Sequence, residues 1–319
     1  MLTEIKIKNF RGFKDLSIGS LKPVNLIIGQ NNTGKTGLLE ALALVLADPL
    51  QKGGNLPQLF RVTGADWNEN FWKWVVYNKD PKTGATIWAK MNDGPDFGVC
   101  LTHGSPLNGF IAPGRERIQL GTLALWSTGG RETAGLRTVS FSTCPTDPTQ
   151  DAIDYNRVVQ RRGKKKVEDM LKTVEPSLES IETLQTGKEP LLYADVGLRE
   201  MIPVTQMGQC FNRLLDIYSE IVAAEAKVLL IDEIENGIHH SVLETIWLGL
   251  FHAARDAGVQ IFATTHSWEC ILAADQAARK GEQYDLNLIR LDRVEDNIKA
   301  TLIDSQALDT AKDLHWEMR

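Results

Sequence analysis

The stretch Leu26–Ala47, "LIIGQNNTGKTGLLEALALVLA", decides the fold of this chain. The apolar run Val24–Ile28 predicts a buried strand, and the alanine- and leucine-rich run after Thr36 predicts a helix. Between them, Gly29–Thr36 fits the P-loop pattern G-x-x-x-x-G-K-[ST]. A glycine- and asparagine-rich turn can match this pattern by chance, but the strand before it and the helix after it favour a nucleotide-binding loop.

Each fixed position of this loop has a role in holding phosphate groups. Gly29 and Gly34 allow backbone conformations that a Cβ would forbid, so that consecutive N–H groups can point at phosphate oxygens. Lys35 supplies positive charge to the β- and γ-phosphates, the Thr36 hydroxyl is a ligand for Mg²⁺, and the helix dipole adds to both. With ATP and Mg²⁺ as cofactors, the predicted contacts of the loop are Gly29, Asn31, Asn32, Thr33, Gly34, Lys35, Thr36 and Gly37.

A second apolar strand, "VLLIDE" at Val228–Glu233, ends in two acidic residues. In a covered parallel sheet the carboxyl ends of the strands face the ligand crevice. Asp232 is therefore predicted to bind Mg²⁺, and Glu233 is predicted to polarise the attacking water as a general base. The alternative is a solvated acidic strand end, which the P-loop disfavours.

A third apolar strand, "VQIFATTHS", places His266 at its end. An imidazole at the tip of a neighbouring strand can contact the γ-phosphate and sense its loss. A lone histidine is often only a surface residue, but the order of P-loop, acidic pair and histidine favours a functional one. His239 and His240 have no metal partners at useful spacing and are predicted to start a helix.

Composition and charge narrow the class of protein. The chain has 319 residues, of which 43% are hydrophobic and 24% are charged, and its net charge of −6 excludes a generally basic nucleic-acid binder. The run Arg161–Lys166, "RRGKKK", is either a solvated surface or a local patch for DNA.

The four cysteines form no C-x-x-C pair, which favours a reduced, cytoplasmic protein. The first ten residues have no apolar signal core, and the longest apolar run, Ala41–Ala47, is too short to span a bilayer, so no membrane is expected as a partner.

The motifs divide a single predicted head, 1–319, into four segments. These are a P-loop part at 1–48, a β-rich insertion at 49–150, a helical lobe at 151–226 and the part with the acidic pair and His266 at 227–319. In the last part, Tyr284–Asp304 predicts two edge strands. Thr36 and Asp232 lie about two thirds of the chain apart, which is more than a compact GTPase needs, and the protein-kinase loop is absent. A domain with the P-loop in one half and the acidic pair in the other fits this spacing.

These residues resemble the ABC-type ATPase heads of the SMC/RecF/OLD group, in particular its small stand-alone AAA-type ATPases of prokaryotes. That resemblance implies an α/β fold, an ABC-type P-loop NTPase head with a mixed sheet, an antiparallel β lobe and a helical lobe. It covers both ends of the chain, and roughly the middle third is weakly informative. The segments that carry it are Ile5–Leu16, Ile27–Leu42, Ile202–Leu215, Val228–His239, Ile261–Ile271 and Arg290–Ala300.

In such heads ATP binds between two copies, and a signature segment of one copy caps the nucleotide on the P-loop of the other. Here Val204–Arg213 resembles that segment, which implies γ-phosphate contacts from Thr205, Gly208 and Gln209. The segment departs from the usual L-S-G-G-Q, with Thr205 in place of Ser and Cys210 in place of Gly. The resemblance of "NFRGF" further implies that Arg11 contacts the nucleotide.

Three functions remain open on the sequence. The resemblance favours an ATP-hydrolysing head that forms a homodimer on ATP and controls a separate effector, such as a Toprim-like nuclease, in prokaryotic defence against phage or foreign DNA. No strand-end Glu with Asp-x-Asp follows His266, and no long coiled-coil segment separates the two halves. The alternative is a RecF-like DNA-maintenance ATPase that binds DNA directly. A nucleotide-gated scaffold with negligible hydrolysis is a third reading, which Glu233 and His266 disfavour.

Overall fold

The computed structural model describes residues 1–46, 74–80, 82–92, 96–102, 116–120, 123–128, 137–141, 148–185, 187–223 and 226–313. The strands of this part are β1 Leu2–Phe10, β2 Phe13–Ile18, β3 Val24–Ile28, β4 Ala85–Met91, β5 Phe97–Thr102, β6 Glu116–Leu120, β7 Leu123–Thr128, β8 Arg137–Phe141, β9 Ser180–Leu184, β10 Leu191–Asp195, β11 Ile202–Pro203, β12 Ala226–Ile231, β13 Gln260–Thr264, β14 Leu286–Val294 and β15 Asn297–Ile303. The helices are α1 Lys35–Leu46, α2 Pro148–Gln160, α3 Lys164–Leu171, α4 Gln209–Val222, α5 Leu243–Ala257, α6 Trp268–Lys280 and α7 Ser305–Asp313.

A six-stranded, mostly parallel sheet carries the P-loop. Its strand order is β15-β14-β3-β13-β12-β8, and every pair is parallel except β14 with β15. The central strands β3 and β13 are buried at every position, as apolar strands covered on both faces should be. Because β3, β12 and β13 run in the same direction, the loops that follow them meet at one edge of the sheet.

One predicted feature of this sheet is wrong. Tyr284–Asp304 was expected to add two edge strands, but β14 lies inside the sheet, parallel to β3, and only β15 is at the edge. The apolar side chains of β14 from Leu286 to Ile289 are buried. The charged residues Arg290 and Asp292, which pair with each other at 3.0 Å, make the strand look solvated in sequence.

A second six-stranded sheet is antiparallel, with the order β2-β1-β4-β5-β7-β6. The strands of segment 49–150 do not form a sheet of their own. Strand β4 pairs with β1, and β8 joins the parallel sheet beside β12. The N-terminal hairpin and this β-rich segment therefore share one layer, and α1 packs between that layer and the parallel sheet, with Leu38, Leu42 and Ile87 in one apolar cluster.

The other face of the parallel sheet is covered by helices. Leu26 and Ile28 of β3 point into this second cluster together with Trp247 of α5 and Phe211 of α4. A small antiparallel sheet, β11-β10-β9, follows α3. Within the predicted helical lobe, α2 and α3 are separated at Gly163, where a Cβ would lie 2.4 Å from Val222 of α4. Within the described ranges no helix combines the length and the apolar character that a membrane span requires.

Candidate functional site

The P-loop connects β3 to α1, and its two fixed glycines adopt conformations that other residues rarely take. Gly29 has a φ of 143° and Gly34 a φ of 89°. A Cβ on Gly29 would lie 2.5 Å from the carbonyl oxygen of Leu291, and one on Gly34 would lie 2.9 Å from both Phe13 and Ile298. The loop is therefore fixed by backbone conformation and by close packing at the same two positions.

Lys35 lies within this loop rather than in open solvent. Its Nζ donates to the carbonyl oxygens of Gly29 at 2.7 Å and Gln30 at 2.9 Å, and the residue is only 8% exposed. Burial lowers the pKa of the ammonium group, and the negative charges of Glu235 and Glu233 oppose that shift. A cation held in place and short of water favours an incoming anionic group such as phosphate.

Thr36 and Asp232 come together although 196 positions separate them. The Thr36 hydroxyl lies 3.1 Å from Oδ2 of Asp232, and the buried Thr264 hydroxyl donates to Oδ1 of the same carboxylate. A hydroxyl beside a carboxylate at the end of a P-loop suits Mg²⁺, which takes one or two protein oxygens and completes its shell with phosphates and water. In the part of the chain that the structure describes, no three His, Cys, Asp or Glu residues converge as an all-protein metal site.

Glu233 follows Asp232 in a left-handed conformation, with a φ of 49°. Such a conformation is costly for a residue with a Cβ, so other contacts must hold it. Its N–H donates to the Thr264 hydroxyl at 2.8 Å. The side chain keeps about a third of its area exposed, with Oε1 lying 3.8 Å from Nε2 of His266, which is 44% exposed. The carboxylate and the imidazole thus lie side by side, and both are partly exposed to solvent.

Three residues of this centre were not predicted as site residues from the sequence. Thr264 bridges the two acids, as described above. Arg213, on α4, donates to the carbonyl oxygens of Asp232 and of Glu233, the latter at 2.9 Å. Glu235 accepts the backbone N–H of His266 at 3.0 Å. The Arg213 contact could have been suspected only from its place in the signature segment, because long-range backbone contacts leave no periodic pattern.

Arg213 and Glu235 are both partly buried, and each has a buried polar atom without a partner. Nε of Arg213 and Oε2 of Glu235 have no hydrogen-bond partner among the described residues. Burial lowers the pKa of the Arg213 guanidinium, and the charge of Glu235, followed by that of Glu233, opposes this shift. Through Arg213 the helix that follows the signature segment is tied to the backbone of both acidic residues.

The signature segment, Val204–Arg213, lies apart from the P-loop of its own chain. Val204–Gln206 forms a short 3-10 turn, and Gly208 caps α4 with a φ of 88°. A Cβ on Gly208 would meet no atom within 4 Å, whereas Gln209 packs against Gly237 in the loop after Glu233. Among the described residues no hydrogen bond or ion pair joins Thr205, Gly208 or Gln209 to the P-loop of the same chain.

Arg11 lies beside the P-loop helix. Its guanidinium makes two hydrogen bonds to the carboxylate of Glu40 on α1, at 2.8 and 3.1 Å, and a longer one to the carbonyl of Trp74. A Cβ on Gly37 would lie 3.6 Å from Cβ of Arg11, so the side chain starts next to the first turn of the helix. Its predicted contact with the nucleotide stays a prediction.

Two protein-family models match the chain. The model described as "AAA ATPase domain" matches residues 1–79, and the model described as "AAA domain, putative AbiEii toxin, Type IV TA system" matches residues 153–271. An ATP/GTP phosphatase from Helicobacter pylori is 22% identical over 88% of this chain and 89% of its own length. The DNA replication and repair protein RecF of Bacillus cytotoxicus is 35% identical, over 28% of this chain and 22% of RecF.

Solved structures resemble the whole chain. An Smc head bound to the C-winged helix domain of ScpA aligns over 97% of this chain and 99% of that chain, with a TM-score of 0.64 and 13% identity. The SMC head domain from Thermotoga maritima aligns over 95% and 99%, with a TM-score of 0.54 and 13% identity. These likenesses confirm the predicted fold class, an ABC-type α/β head with mixed and antiparallel sheets.

Proposed function

We propose that this chain, an ABC/AAA-type ATPase of the SMC/RecF group, works as an ATP-dependent homodimer that controls a separate effector. The observation that carries the proposal is the contrast between the centre around Asp232, which is assembled within the chain, and Gly208, which faces open space. A phosphate-binding segment without a phosphate site in its own chain fits a site shared between two copies.

The chain's own residues divide the reaction among them. Lys35 and the backbone N–H groups of the P-loop bind the β- and γ-phosphates. Glu233 accepts a proton from the attacking water, and His266 holds the γ-phosphate beside it. Mg²⁺, when bound by Thr36 and Asp232, supplies positive charge that offsets the charge of the phosphates.

The second copy completes the site with its signature segment. Thr205, Gly208 and Gln209 of the partner copy would contact the γ-phosphate, with the first N–H groups of α4 directed at it. Because α4 has 14 residues, its dipole supports an anion at Gly208. A two-fold pair uses the same surface on both copies and forms two ATP sites, so each bound ATP stabilises only the dimer.

Defence against phage or foreign DNA is the proposed setting, with a Toprim-like nuclease or another toxin as the effector. The match of residues 153–271 to a model described as a putative AbiEii toxin of a Type IV TA system supports this setting. Cytoplasmic location is part of the proposal, and the free thiols of Cys210 and Cys270 agree with a reducing compartment.

The proposal is tested with Glu233→Gln. This change removes the general base and keeps the shape of the side chain, so we expect ATP to bind normally and turnover to fall about 100-fold or more. The dimer should accumulate when ATP is added, as measured by light scattering. The control is Glu282→Gln, an exposed residue outside the centre, which should turn over ATP like the unchanged protein. Normal hydrolysis by Glu233→Gln, or a monomer that persists with ATP, would refute the proposal.

A second candidate is the RecF-like function, in which the head binds DNA directly. The match to RecF over 91 residues favours it. Its test is DNA binding measured with and without ATP at several salt concentrations, since phosphate contacts weaken steeply as salt rises. Binding with such a slope in the absence of any effector would favour this candidate over the first.

A further inference from the structure

The basic run Arg161–Lys166 borders a cleft that the ATP site does not use. The cleft has a volume of about 650 Å³ and lies between α3, α4 and α5. Its apolar floor is formed by Met170, Tyr218 and Leu248. Gly249 keeps this floor open, because a Cβ there would lie 3.3 Å from Oη of Tyr218 and 3.9 Å from Cε of Met170.

Most cations of the run are engaged within the chain. Lys164 pairs with Glu182, and Lys166 pairs with Asp256 at 3.0 Å. Arg161 donates to the carbonyl oxygen of Ala223 at the end of α4. Arg161 and Lys164 therefore fix the lobe rather than offer charge to a ligand.

Two cations at the cleft remain. Arg162 and Lys165 are exposed and line the cleft, and among the described residues neither has an ion-pair or side-chain hydrogen-bond partner. Lys166 also borders the cleft, and because its pair with Asp256 is about half exposed on both sides, a ligand could replace it at little cost. Asp169 also lines the cleft, where its carboxylate lies 3.8 Å from Nζ of Lys172. The cleft therefore combines an apolar floor with a rim on which two to three available positive charges outnumber this carboxylate.

This combination separates two classes of partner. A DNA duplex is bound by many phosphate contacts along an extended basic surface and uses no apolar floor. A protein segment with acidic and apolar side chains uses both features, because its apolar groups leave water at the floor while its carboxylates meet the rim. We propose that the cleft is a docking site for an acidic segment of a partner protein that carries Leu, Met or aromatic residues.

The position of the cleft connects it to the nucleotide centre. Tyr218 is on α4, the helix that begins at the signature segment and carries Arg213, and Leu248 is on α5, which follows the loop after Glu233. A segment seated across α3, α4 and α5 contacts both helices at once. Docking is therefore tested without nucleotide, so that the result does not depend on the ATP cycle proposed above.

The test is a peptide-display selection on the purified full chain without nucleotide. Binders retained by Arg162→Glu/Lys165→Glu are removed in each round. We expect the enriched peptides to combine Asp or Glu with Leu, Met, Phe or Trp. A synthetic copy of the best peptide, measured by fluorescence anisotropy, should bind the double variant at least about 10-fold more weakly because two attractions become repulsions.

Matched variants separate the cleft from general charge and from folding. Lys82→Glu/Lys299→Glu makes the same charge change at two exposed lysines elsewhere and should leave peptide affinity within about twofold. Gly249→Leu fills the floor and should also weaken binding about 10-fold, whereas Gly19→Leu, where a Cβ meets no atom within 4 Å, should not. Thermal unfolding of each variant shows that the fold is kept.

Several results would overturn the docking site. These are a selection that yields no binder, peptides without acidic enrichment, and equal binding to the cleft variants. Tighter binding of a fluorescent DNA duplex than of the peptide, lost in the same variants, would assign the cleft to nucleic acid instead. Self-association lost in Gly249→Leu would assign it to a second copy of the chain.

Discussion

The P-loop and the signature segment both place a glycine before a helix, yet the two are held in different ways. Gly34 sits against the buried side chains of Phe13 and Ile298, and Lys35 is fixed by two carbonyl oxygens of its own loop. Gly208 also has a positive φ, but a Cβ there would touch nothing. One segment is packed within the chain, and the other presents the same backbone feature to open space.

The difference shows that a glycine with a positive φ can be required at a position for two separate reasons. At Gly34 the fold needs a position without a side chain, because neighbouring core atoms fill the space. At Gly208 no neighbouring atom of the chain occupies that space, so the space is open to a ligand or to another copy of the chain. Arg213 connects the helix of Gly208 to the acidic strand end, since it donates to the carbonyl oxygens of Asp232 and Glu233.

The largest expected effect comes from mixing two inactive variants. Lys35→Ala removes the phosphate-binding cation, and Gly208→Glu places a carboxylate where the partner's γ-phosphate is expected. Each homodimer should lose nearly all ATP hydrolysis. A heterodimer keeps one site that has both Lys35 and Gly208, so an equal mixture should recover about a quarter of the normal rate if pairing is random. Steady-state phosphate release measures it.

The control for this mixture is Lys35→Ala mixed with Glu233→Gln. Both of these residues belong to the same half of the site, so each heterodimer has an intact signature segment facing a damaged centre on both sides. No activity should return. Recovery in this control, or none in the Gly208→Glu mixture while both variants fold and pair, would contradict a site divided between copies.

Arg213→Met should reduce turnover by about 10- to 100-fold with little change in KM for ATP. The side chain is not among the residues predicted to contact phosphate. Its hydrogen bond to the carbonyl oxygen of Glu233 helps to hold that residue in its left-handed conformation, so loss of the bond should misplace the general base. Arg213→Lys keeps one donor and should restore part of kcat. An equal loss in both variants, or a rise in KM alone, would mean that Arg213 acts only on folding or on binding.

Replacing each glycine by alanine tests the comparison through stability. Gly34→Ala adds left-handed strain and a clash with Phe13 and Ile298, which are both buried, so the free energy of unfolding should fall by about 3 kcal/mol. Gly208→Ala adds strain alone and should cost about 1.5 kcal/mol. Urea unfolding of the nucleotide-free protein measures both. Equal losses would show that Gly208 is also packed within the chain.

Asp275 provides a stability effect far from both segments. It is fully buried and accepts hydrogen bonds from Arg279, Lys312 and Tyr284. Burial alone raises the pKa of this carboxyl, but the three hydrogen bonds outweigh it, so the pKa lies below its ordinary value. A lowered folded-state pKa stabilises the protein above the unfolded pKa of about 4, and that stabilisation is lost as pH falls through the folded pKa.

Asp275→Asn should therefore lower the free energy of unfolding by about 2 kcal/mol at pH 7, with a difference that shrinks below about pH 4. The measurement is urea unfolding of both proteins across this pH range. ATP hydrolysis by the folded variant at pH 7 should stay normal, because the residue ties α7 to α6 and contacts no part of the nucleotide centre. A difference that does not change with pH would show that the hydrogen bonds do not depend on the charge of Asp275.

The sequence by itself determined the parts of this protein that depend on local patterns. The P-loop pattern between a strand and a helix, the apolar strand that ends at Asp232 and Glu233, and the strand that ends at His266 predicted the parallel sheet and its crevice. They also predicted an ATPase with an ABC-type head; the two matches to AAA ATPase and AAA domain models support the ATPase, and the likeness to Smc heads confirms the fold. Each of these signals lies within a few residues of the group it predicts.

Only the tertiary structure decided which distant residues meet. The place of β14 inside the sheet was mispredicted because its charged residues Arg290 and Asp292 pair with each other along one face of the strand, so alternation of polarity did not report burial. The roles of Thr264, Arg213 and Glu235 depend on one or two contacts each, to residues about 20 or more positions away, and such contacts impose no period on the sequence. The cleft beside Arg162 and Lys165 is visible only because folding pairs the neighbouring cations and leaves these two available.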